Sequence, residues 1–498
     1  MIFMSKVLRI IKELIEGSGS TWISEKALFN KGITQNQIKE SVNEVKEVIC
    51  CEVDNSLYFT TNEIAIKENE VAEHALRILL NDSIRVSDFF LNKVIAKAEE
   101  TLKLQLHEQQ KEAVIKAVRN NLCIITGGPG TGKTCVLNVI HYVLTEYKPD
   151  YKIRYYAPTG KAASRITEST KKEASTLHKG MKLTTDHADN PQTLDADIII
   201  VDEISMLDIF VASALMRAVK SGSKLILVGD IDQLPSVGPG AVLRDMIESD
   251  CIPVARLTKT FRQANECILF QNIQNIRASY PYLDEGEDFH VYYTDEHEDV
   301  TNQMVKEYLR LVKKYGKDNV ICLMPYHVAG KMCTNIMNEK LQSAMNPRAP
   351  YFVYRGIKYR LGDPVMQLKN RLECANGDVG KIVKIDSNGV VCKFFSNTVY
   401  YENEDMDEIE LAYAMSIHKS QGSEYSAVVT CLYSEHERML LRNLLYTAIT
   451  RAKKECTLYG DEKSITKAIR TDGTDLRFTM LAEKLQYYRK RYLIACGK

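Results

Sequence analysis

The sequence predicts an α/β protein with two parallel-sheet lobes, a small β-barrel inserted into the second lobe and a small α+β module at the N-terminus. Three observations lead to this fold class. Short apolar runs such as NLCIIT, ADIIIV and KLILVG alternate with helical patterns, which is typical of strands buried on both faces of a parallel sheet. The same alternation returns near residues 320–340 and 411–470, in NVICLM, SAVVTCLY and KECTLYG. Between these segments, a β-rich stretch with a turn at Ser387, Asn388 and Gly389 indicates a barrel.

Composition limits the class of protein. At 498 residues the chain is long enough for two or more domains. Its 65 basic and 65 acidic residues balance, so a site for a polyanion must be a local groove. The 13 cysteines include no CxxC pair, which favours free thiols in a reducing cytoplasm over a disulfide framework or a metal cluster. The start, MIFMSKVLRIIKELIEG, predicts an amphipathic helix rather than a signal peptide or a membrane span, and we expect a cytoplasmic protein.

The N-terminal residues 1–62 predict a module of their own. In VLRIIKELIEG the apolar residues fall on one helical face, and Thr34 and Gln37 have the spacing of a capping box. VICCEVDNSLYFTT predicts two strands joined by a turn at Asp54 and Asn55. Helices followed by a hairpin favour a winged-helix-like module, which either binds duplex DNA or packs against its neighbours.

Changes of pattern define the other domain boundaries. The helical stretch NEVAEHALRILL separates the N-terminal module from the first run of buried strands. The pattern changes again where YFVYRGIKYRLGDPVMQLKN begins and after GKIVKIDSNGVVCKFF ends. The predicted boundaries are 63–105 for a helical linker region, 106–262 for the first lobe, 263–345 and 409–498 for the second lobe, and 346–408 for the inserted barrel.

A phosphate-binding loop is predicted in TGGPGTGKT. Gly127, Gly132, Lys133 and Thr134 have the required spacing, and the loop lies between the strand NLCIIT and the helix CVLNVIHYVL. Backbone N–H groups of such a loop cradle phosphates, which makes Gly128, Gly130 and Thr131 further binding residues. Lys133 would reach the outer phosphates and Thr134 would hold Mg²⁺. A chance glycine turn does not explain the flanking strand and helix.

Two acids complement this loop in DIIIVDEISML. Asp202 and Glu203 follow four apolar residues, which puts both carboxylates at the carboxyl end of a buried strand, where such sheets bind ligands. Asp202 would hold Mg²⁺, and Glu203 would polarise the attacking water. An apolar run ending in two acids is by itself often only a strand edge. Together with the phosphate-binding loop it predicts an ATP-hydrolysing enzyme.

Further motifs give the chain a family resemblance. LVGDIDQLPSVGPGAVLRD, LTKTFRQ, IHKSQGSEY and LLYTAITRAKK resemble, in this order, the motifs of the RecD-like group of superfamily 1B helicases. The resemblance runs from about residue 60 to the C-terminus. It implies two RecA-like lobes with ATP in the cleft, single-stranded DNA across the top and 5′→3′ translocation. It also implies a DNA-stimulated ATPase. We expect it to act on single strands and junctions in DNA repair or recombination, as a monomer that meets replication or repair proteins, and without a membrane.

The resemblance also implies individual roles around ATP. Gln110 resembles the glutamine that reads adenine, and Gln233 resembles the residue that senses the γ-phosphate and links hydrolysis to the DNA groove. Arg262 and Arg451 resemble the two arginines that meet the γ-phosphate. In SIHKSQGSEY, the nucleotide-facing residues are Gln421, Gly422 and Glu424, with Glu424 near the ribose.

The residues implied for DNA binding have hydroxyl, basic or small side chains. Such groups suit phosphates rather than base edges, which predicts sequence-tolerant binding of a single strand. They are Pro158, Thr159, Lys161, Thr176 and His178 in the first lobe, and Ser416, His418 and Lys419 in the second.

Two accessory elements are implied by the same resemblance. The inserted segment GDPVMQLKN to NGDVGKIV resembles the SH3-like barrel of the family, and the segment at about 179–196 is long enough only for a small pin hairpin. A short pin is compatible with translocation with little unwinding. The sequence leaves two alternatives open: a superfamily 1 RNA helicase, and an ATP-switched nucleic-acid clamp or translocase subunit that does not unwind.

Overall fold

A computed structural model describes residues 6–44, 46–81, 86–183, 190–261, 267–294, 297–371, 373–395 and 397–495. The chain divides into two compact units. Unit 1 comprises Met1–Pro158, Ile166–Phe261 and Gly473–Lys498, and unit 2 comprises Thr159–Arg165 and Arg262–Asp472. Within the described ranges, none of the helices combines the length and apolar character that crossing a bilayer requires.

Unit 1 begins with a small α+β module. Its elements are α1 (Lys6–Ser18), β1 (Ile23–Ser24), α2 (Glu25–Asn30), α3 (Gln35–Glu44), β2 (Val48–Val53) and β3 (Ser56–Thr61). The three strands form one antiparallel sheet in the order β1-β3-β2. Asp54 and Asn55 both have positive φ, which is the backbone that a tight two-residue hairpin turn requires. The amide of Gln37 donates to Thr34 Oγ1 and the amide of Thr34 donates to Gln37 Oε1, so the predicted capping box is present.

The remainder of unit 1 is a parallel sheet covered by helices. Its elements are α4 (Asn62–Leu79), α5 (Asp88–Thr101), α6 (Glu108–Arg119), β4 (Leu122–Gly127), α7 (Lys133–Tyr147), β5 (Ile153–Ala157), α8 (Gly160–Thr170), β6 (Ala174–Thr176), α9 (Leu177–Met181), β7 (Ile198–Val201), α10 (Ile209–Ala218), β8 (Lys224–Gly229), α11 (Val242–Glu248) and β9 (Val254–Leu257). The strand order is β6-β5-β7-β8-β4-β9, with parallel pairing throughout. Every residue of β4, β7 and β8 is buried, because helices cover both faces of the sheet. The predicted first lobe is therefore present.

Unit 2 contains a second parallel sheet and an inserted antiparallel barrel. Its elements are α12 (Ile268–Arg277), β10 (Phe289–Tyr293), α13 (His297–Tyr315), β11 (Val320–Met324), α14 (Thr334–Met345), β12 (Tyr351–Tyr354), β13 (Ile357–Arg360), β14 (Pro364–Gln367), β15 (Val379–Ile385), β16 (Gly389–Phe394), β17 (Asn397–Glu402), β18 (Ile409–Leu411), β19 (Ala414–Ser416), β20 (Tyr425–Leu432), α15 (Arg442–Thr450), β21 (Ala452–Gly460) and α16 (Glu462–Arg470). The parallel sheet has the order β10-β21-β20-β11-β19. The inserted part has the antiparallel order β17-β16-β15-β14-β18 beside the hairpin β12-β13, with its own apolar core. Two parallel sheets and an inserted barrel confirm the predicted α/β fold class.

The end of the chain differs from the predicted boundary. The sequence assigned residues 409–498 to the second lobe, whereas Gly473–Lys498 group with unit 1. The reason is apolar packing of the last helix, α17 (Leu481–Ala495). Leu481 and Leu485 are fully buried in the same cluster as Val71 and Ala75 of α4.

A buried carboxylate ties this C-terminal segment to the N-terminal module. Glu68 of α4 has no exposed surface and accepts hydrogen bonds from Thr21 Oγ1 at 2.6 Å and from Trp22 Nε1 at 2.9 Å. It also accepts from the amide of Met480 at 3.2 Å and forms an ion pair with Lys484 at 3.0 Å. A single carboxylate thus satisfies donors from the module and from the C-terminal segment.

Replacing Glu68 with alanine should destabilise unit 1 strongly. The substitution removes the carboxylate that accepts from several buried donors and pairs with the Lys484 ammonium, so we expect a loss of about 3–5 kcal/mol in the free energy of unfolding. Urea denaturation followed by the fluorescence of Trp22, the one tryptophan of the chain, measures it.

Glu13→Ala is the matched control, because Glu13 forms an exposed ion pair with Arg9 in the same unit. Its cost should stay within about 0.5 kcal/mol. Equal losses for the two variants would contradict the role given to Glu68.

Candidate nucleotide site and nucleic-acid-binding residues

The loop between β4 and α7 has the backbone that phosphate binding requires. Gly130 and Gly132 have φ of 75° and 82°, in the left-handed region that favours glycine. A Cβ atom on Gly132 would overlap the side-chain nitrogen of Gln110. Helix α7 starts at the next residue, and among the described residues no side chain caps its N-terminus. Its first N–H groups are therefore available to an anion.

Lys133 lies over this loop. Its ammonium donates to the carbonyl oxygens of Gly127 at 2.5 Å and Gly128 at 3.2 Å. The hydroxyl of Thr131 donates to the Gly128 carbonyl at 2.8 Å and braces the loop from within. Thr134, the second residue of α7, is partly buried. The loop thus presents one ammonium, one helix terminus and a hydroxyl within a short run of chain.

Asp202 and Glu203 follow β7 at the same edge of the sheet. Val201 is paired with Leu227 and Thr126 with Gly229, so the loops after β4, β7 and β8 leave the sheet side by side. Asp202 Oδ1 accepts the amide of Glu203 at 2.8 Å. Glu203 has φ 56° and ψ 39°, an unfavourable left-handed conformation for a residue with a side chain. Such backbone strain is characteristic of functional positions.

Gln110 contacts protein on both sides of its amide. Its Oε1 accepts from the amide of His107 at 3.0 Å, and its Nε2 donates to the carbonyl of Thr131 at 3.0 Å. The side chain is buried and joins the start of α6 to the phosphate-binding loop. The adenine-reading role that the resemblance implies stays a prediction.

Sequence reasoning missed the neighbouring glutamine. Gln109 Oε1 accepts from the amides of Thr258 and Lys259, both at 3.1 Å, and its Nε2 donates to Thr258 Oγ1 at 2.8 Å. It thereby holds the segment that precedes Arg262. Arg262 itself lies outside the described residues. Gln109 and Gln110 are adjacent and identical, so the sequence has no signal that distinguishes the contacts of one from those of the other.

Gln233 is buried in the loop that follows β8. Its side-chain Nε2 lies 3.3 Å from Asp230 Oδ2, to which it donates, and its amide donates to the carbonyl of Asp230. The loop begins at the carboxyl edge where Asp202 and Glu203 also lie. Gln233 is therefore near the acids in topology, and its role as a sensor of the γ-phosphate stays a prediction.

In unit 2, Arg451 is buried at the end of α15. Its guanidinium donates to the carbonyls of Ser423 at 3.1 Å and Thr447 at 3.2 Å, which links it to the segment that contains Gly422 and Glu424. Gly422 has φ 74°. Glu424 forms ion pairs with Lys453 at 3.0 Å and with Arg165 at 2.5 Å, so its carboxylate lies among cations of this unit.

The predicted DNA-binding residues divide between the units. Pro158, Thr176 and His178 belong to unit 1, where Thr176 caps α9 by accepting the amide of Lys179 at 3.2 Å. The sequence assigned Thr159 and Lys161 to the first lobe, whereas both group with unit 2. Contacts of Gly160 and Lys161 with residues of unit 2 account for this grouping.

Lys161 donates to Tyr425 Oη at 3.1 Å within unit 2. A Cβ atom on Gly160 would lie 2.5 Å from the Cβ of Ala375, so the start of α8 packs closely against this unit. Ser416 ends β19 and is buried, and the 3₁₀ turn of His418 and Lys419 follows it. Lys419 donates to Glu410 Oε1 at 2.8 Å. The structure thus brings Ser416, His418 and Lys419 together in one turn.

The residues of unit 1 fit a magnesium nucleotide. Glycines with positive φ, the uncapped α7 terminus and Lys133 suit a polyphosphate. Among the described residues, no group of three or more histidine, cysteine or acidic side chains forms a metal cluster. Mg²⁺ in nucleotide sites needs no such cluster, because one or two protein oxygens and the phosphates hold it. Thr134 and Asp202 are suitable for this role.

Comparison with known proteins decides the family. Family models match three parts of the chain: an AAA domain at residues 110–239, the SH3 domain of ATP-dependent RecD-like DNA helicases at 337–394, and a UvrD-like helicase C-terminal domain at 411–459. The RecBCD enzyme subunit RecD of Mycolicibacterium smegmatis is 31% identical over 428 residues, which cover 76% of this chain and 75% of that protein. The chain belongs to the RecD-like DNA helicases of superfamily 1B. The inserted barrel is accordingly SH3-like, the two lobes are RecA-like, and the AAA-domain match indicates nucleotide use.

The chain is also similar to one further helicase and to one solved structure. The ATP-dependent RecD2 DNA helicase of Deinococcus radiodurans is 30% identical over 357 residues, which cover 70% of this chain and 48% of that protein. The chain therefore spans about half the length of that relative. A solved structure of a Bacteroides Pif1 bound to single-stranded DNA covers 79% of this chain and 97% of that chain, with 20% identity and a TM-score of 0.46.

Gly132→Ala should weaken nucleotide binding by roughly tenfold or more. The left-handed backbone disfavours a side chain, and the new methyl group displaces Gln110 from the loop. Titration with a fluorescent ATP analogue measures the Kd.

Gly222→Ala is the matched control. Gly222 also has positive φ, 88°, but a Cβ atom there meets only Asn81 Nδ2, at 4.0 Å. Its Kd should stay within about twofold of the unsubstituted protein. A Gly132→Ala variant that binds ATP normally would contradict the assignment of the loop.

Proposed function

We propose that this protein is an ATP-dependent DNA helicase that moves 5′→3′ along single-stranded DNA and uses Mg²⁺. The observation that carries the proposal is the combination in unit 1 of a phosphate-binding loop, an uncapped helix terminus and the acids Asp202 and Glu203 at one sheet edge, in a RecD-like chain. The direction of movement rests on family membership. The substrate class is single strands and junctions between single- and double-stranded DNA.

The chain's own residues supply the steps of hydrolysis. The loop amides and Lys133 would neutralise the outer phosphates, and Thr134 and Asp202 would hold Mg²⁺. Glu203 accepts a hydrogen bond from the attacking water and thereby orients it. Bound MgATP supplies the free energy of phosphoanhydride cleavage. The Gly127 and Gly128 carbonyls to which Lys133 donates carry no net charge, so a negatively charged phosphate oxygen is the stronger acceptor.

The coupling residues connect hydrolysis to DNA. Arg451 and Arg262 stabilise charge on the γ-phosphate, Gln233 senses it, and Gln110, Gly422 and Glu424 bind the nucleoside. Phosphates of the strand are bound by hydroxyl and basic side chains, which carry no sequence preference. These are Thr159, Lys161, Thr176, His178, Ser416, His418 and Lys419, and Pro158 adds a small apolar contact beside Thr159.

A translocase with weak unwinding is the second candidate. The sequence predicted a small pin hairpin at about 179–196, and its residues 184–189 lie outside the described residues. In the described flanks, α9 ends at Met181 and residues 190–196 contain no strand. A segment as short as 179–196 predicts little surface for separating two strands.

Lys133→Ala should abolish DNA-stimulated ATP hydrolysis, with a loss of about 100-fold or more, because it removes the ammonium that neutralises the outer phosphates in the proposed site. Steady-state phosphate release in the presence of oligo(dT) measures it. Lys148→Ala is the control, since Lys148 directly follows α7 at its far end. Near-normal turnover in Lys133→Ala would refute the site.

Polarity is tested by comparing tailed duplexes. A duplex with a 5′ single-stranded tail should be unwound in preference to one with a 3′ tail, and ATPase stimulation by DNA should exceed that by matched RNA. Strand displacement in a gel measures the first and phosphate release the second. Preference for the 3′ tail would refute the direction. Stimulation of ATPase without displacement of either duplex would favour the translocase.

A further inference from the structure

The side chain of Arg477 crosses the loop that follows Gln233. Its guanidinium donates to the carbonyls of Ser236 at 2.6 Å, Gly240 at 2.8 Å and Gly238 at 3.1 Å. A fourth contact joins it to Ser236 Oγ at 3.3 Å. One planar cation therefore fixes three alternate carbonyls of a loop that has no strand or helix of its own.

The N-terminal module lies against the guanidinium of Arg477 at Gly19. A Cβ atom on Gly19 would lie 2.5 Å from Arg477 Cζ, so only glycine leaves room for the side chain. The amide of Gly240 donates to the carbonyl of Gly19 at 2.9 Å. Arg477 is thus held between the module and the loop.

The segment that carries Arg477 is itself anchored on both sides. The amides of Thr21 and Trp22 donate to the carbonyl of Phe478, whose ring stacks on Tyr58 with centroids 3.9 Å apart. Toward the lobe, Arg244 of α11 donates to the carbonyls of Thr474 and Arg477. The segment cannot shift without breaking contacts in the module and in the lobe.

This segment also reaches Gln233. One small cavity is lined by Gln233, Ser205, Arg244 and Thr474, among others. Residues 236–240 begin three positions after Gln233, and Pro235 lies between them. Because proline fixes its own φ, little backbone freedom remains between Gln233 and the carbonyls that Arg477 holds.

We propose that Arg477 is a positioning residue that fixes the backbone of residues 236–240 and thereby holds Gln233 where ATP hydrolysis is coupled to the DNA strand. This rests on the proposed helicase function. Arginine suits the task because its rigid fork serves several carbonyls at once, whereas the ammonium of lysine is a point charge on a flexible chain. Burial lowers the pKa of Arg477 to about 10, and the group stays charged at neutral pH.

The test measures turnover with and without DNA. Arg477→Met removes the fork and keeps an unbranched side chain. We expect the ratio of oligo(dT)-stimulated to DNA-independent ATP turnover to fall about tenfold, while the Kd for a non-hydrolysable ATP analogue changes by less than about twofold. Arg477→Lys should restore part of the ratio.

Arg489→Gln is the matched control. Arg489 is an exposed arginine of the same C-terminal segment and donates to the carbonyl of Asp250. Its turnover ratio should equal that of the unsubstituted protein. Thermal melting of each variant reports on folding, and if Arg477→Met does not fold, the ratio of Arg477→Lys decides.

Three results would overturn the proposal. An unchanged ratio in the Arg477 variant would leave Gln233 independent of the loop contacts. Equal loss of nucleotide affinity, basal turnover and stimulated turnover would indicate a general structural role only. Absence of DNA stimulation in the unsubstituted protein would overturn the proposed function as well, whereas normal stimulation there with an unchanged variant overturns this inference alone.

Discussion

Burial of the central strands of unit 1 on both faces is the constraint on which the candidate site depends. Strands β4, β7 and β8 expose no residue, so their polar chemistry can lie only where the strands end. Parallel pairing brings those ends to one edge. The loop with Lys133, the acids after β7 and the loop with Gln233 therefore emerge side by side. The candidate site depends on this shared edge, because none of the three loops would form a nucleotide site alone.

Buried polar groups fix the orientation of the N-terminal module and the C-terminal segment, which hydrophobic packing alone does not determine. The apolar cluster around Leu481 and Leu485 attaches the last helix to α4, but a hydrophobic contact is not directional. Glu68 adds direction, because its carboxylate accepts from Thr21, Trp22 and Met480 at once. The N-terminal module is thereby set against the C-terminal segment in one orientation. This arrangement establishes packing as a role of the module, and duplex binding stays a prediction.

Local sequence signals predicted the site, and long-range contacts escaped prediction. The glycines around Lys133 and the acids Asp202 and Glu203 are encoded by spacing within about ten residues, which a single sequence displays. The contact between Glu68 and the Met480 amide spans 412 positions, and that between Arg477 and Ser236 spans 241. No periodicity reports such pairings. The sequence assigned residues 473–498 to the second lobe because they follow α16 in the chain. In the structure they group with unit 1, where the last helix packs against α4.

Arg310 and Arg477 differ in the charge of their hydrogen-bond acceptors, and this difference decides what the removal of each side chain would change. Arg310 pairs with the carboxylates of Glu307 and Glu455, and these partners raise its pKa. Removing Arg310 would leave Glu455, which is almost fully buried, short of a counter-charge and would destabilise the fold itself. Arg477 donates to neutral carbonyl and hydroxyl oxygens. Its removal therefore leaves none of these hydrogen-bond acceptors with an uncompensated charge. What its removal changes is the freedom of the 236–240 backbone. An arginine held by carbonyls is therefore suited to setting the position of a loop, whereas one held by carboxylates contributes to the stability of a core.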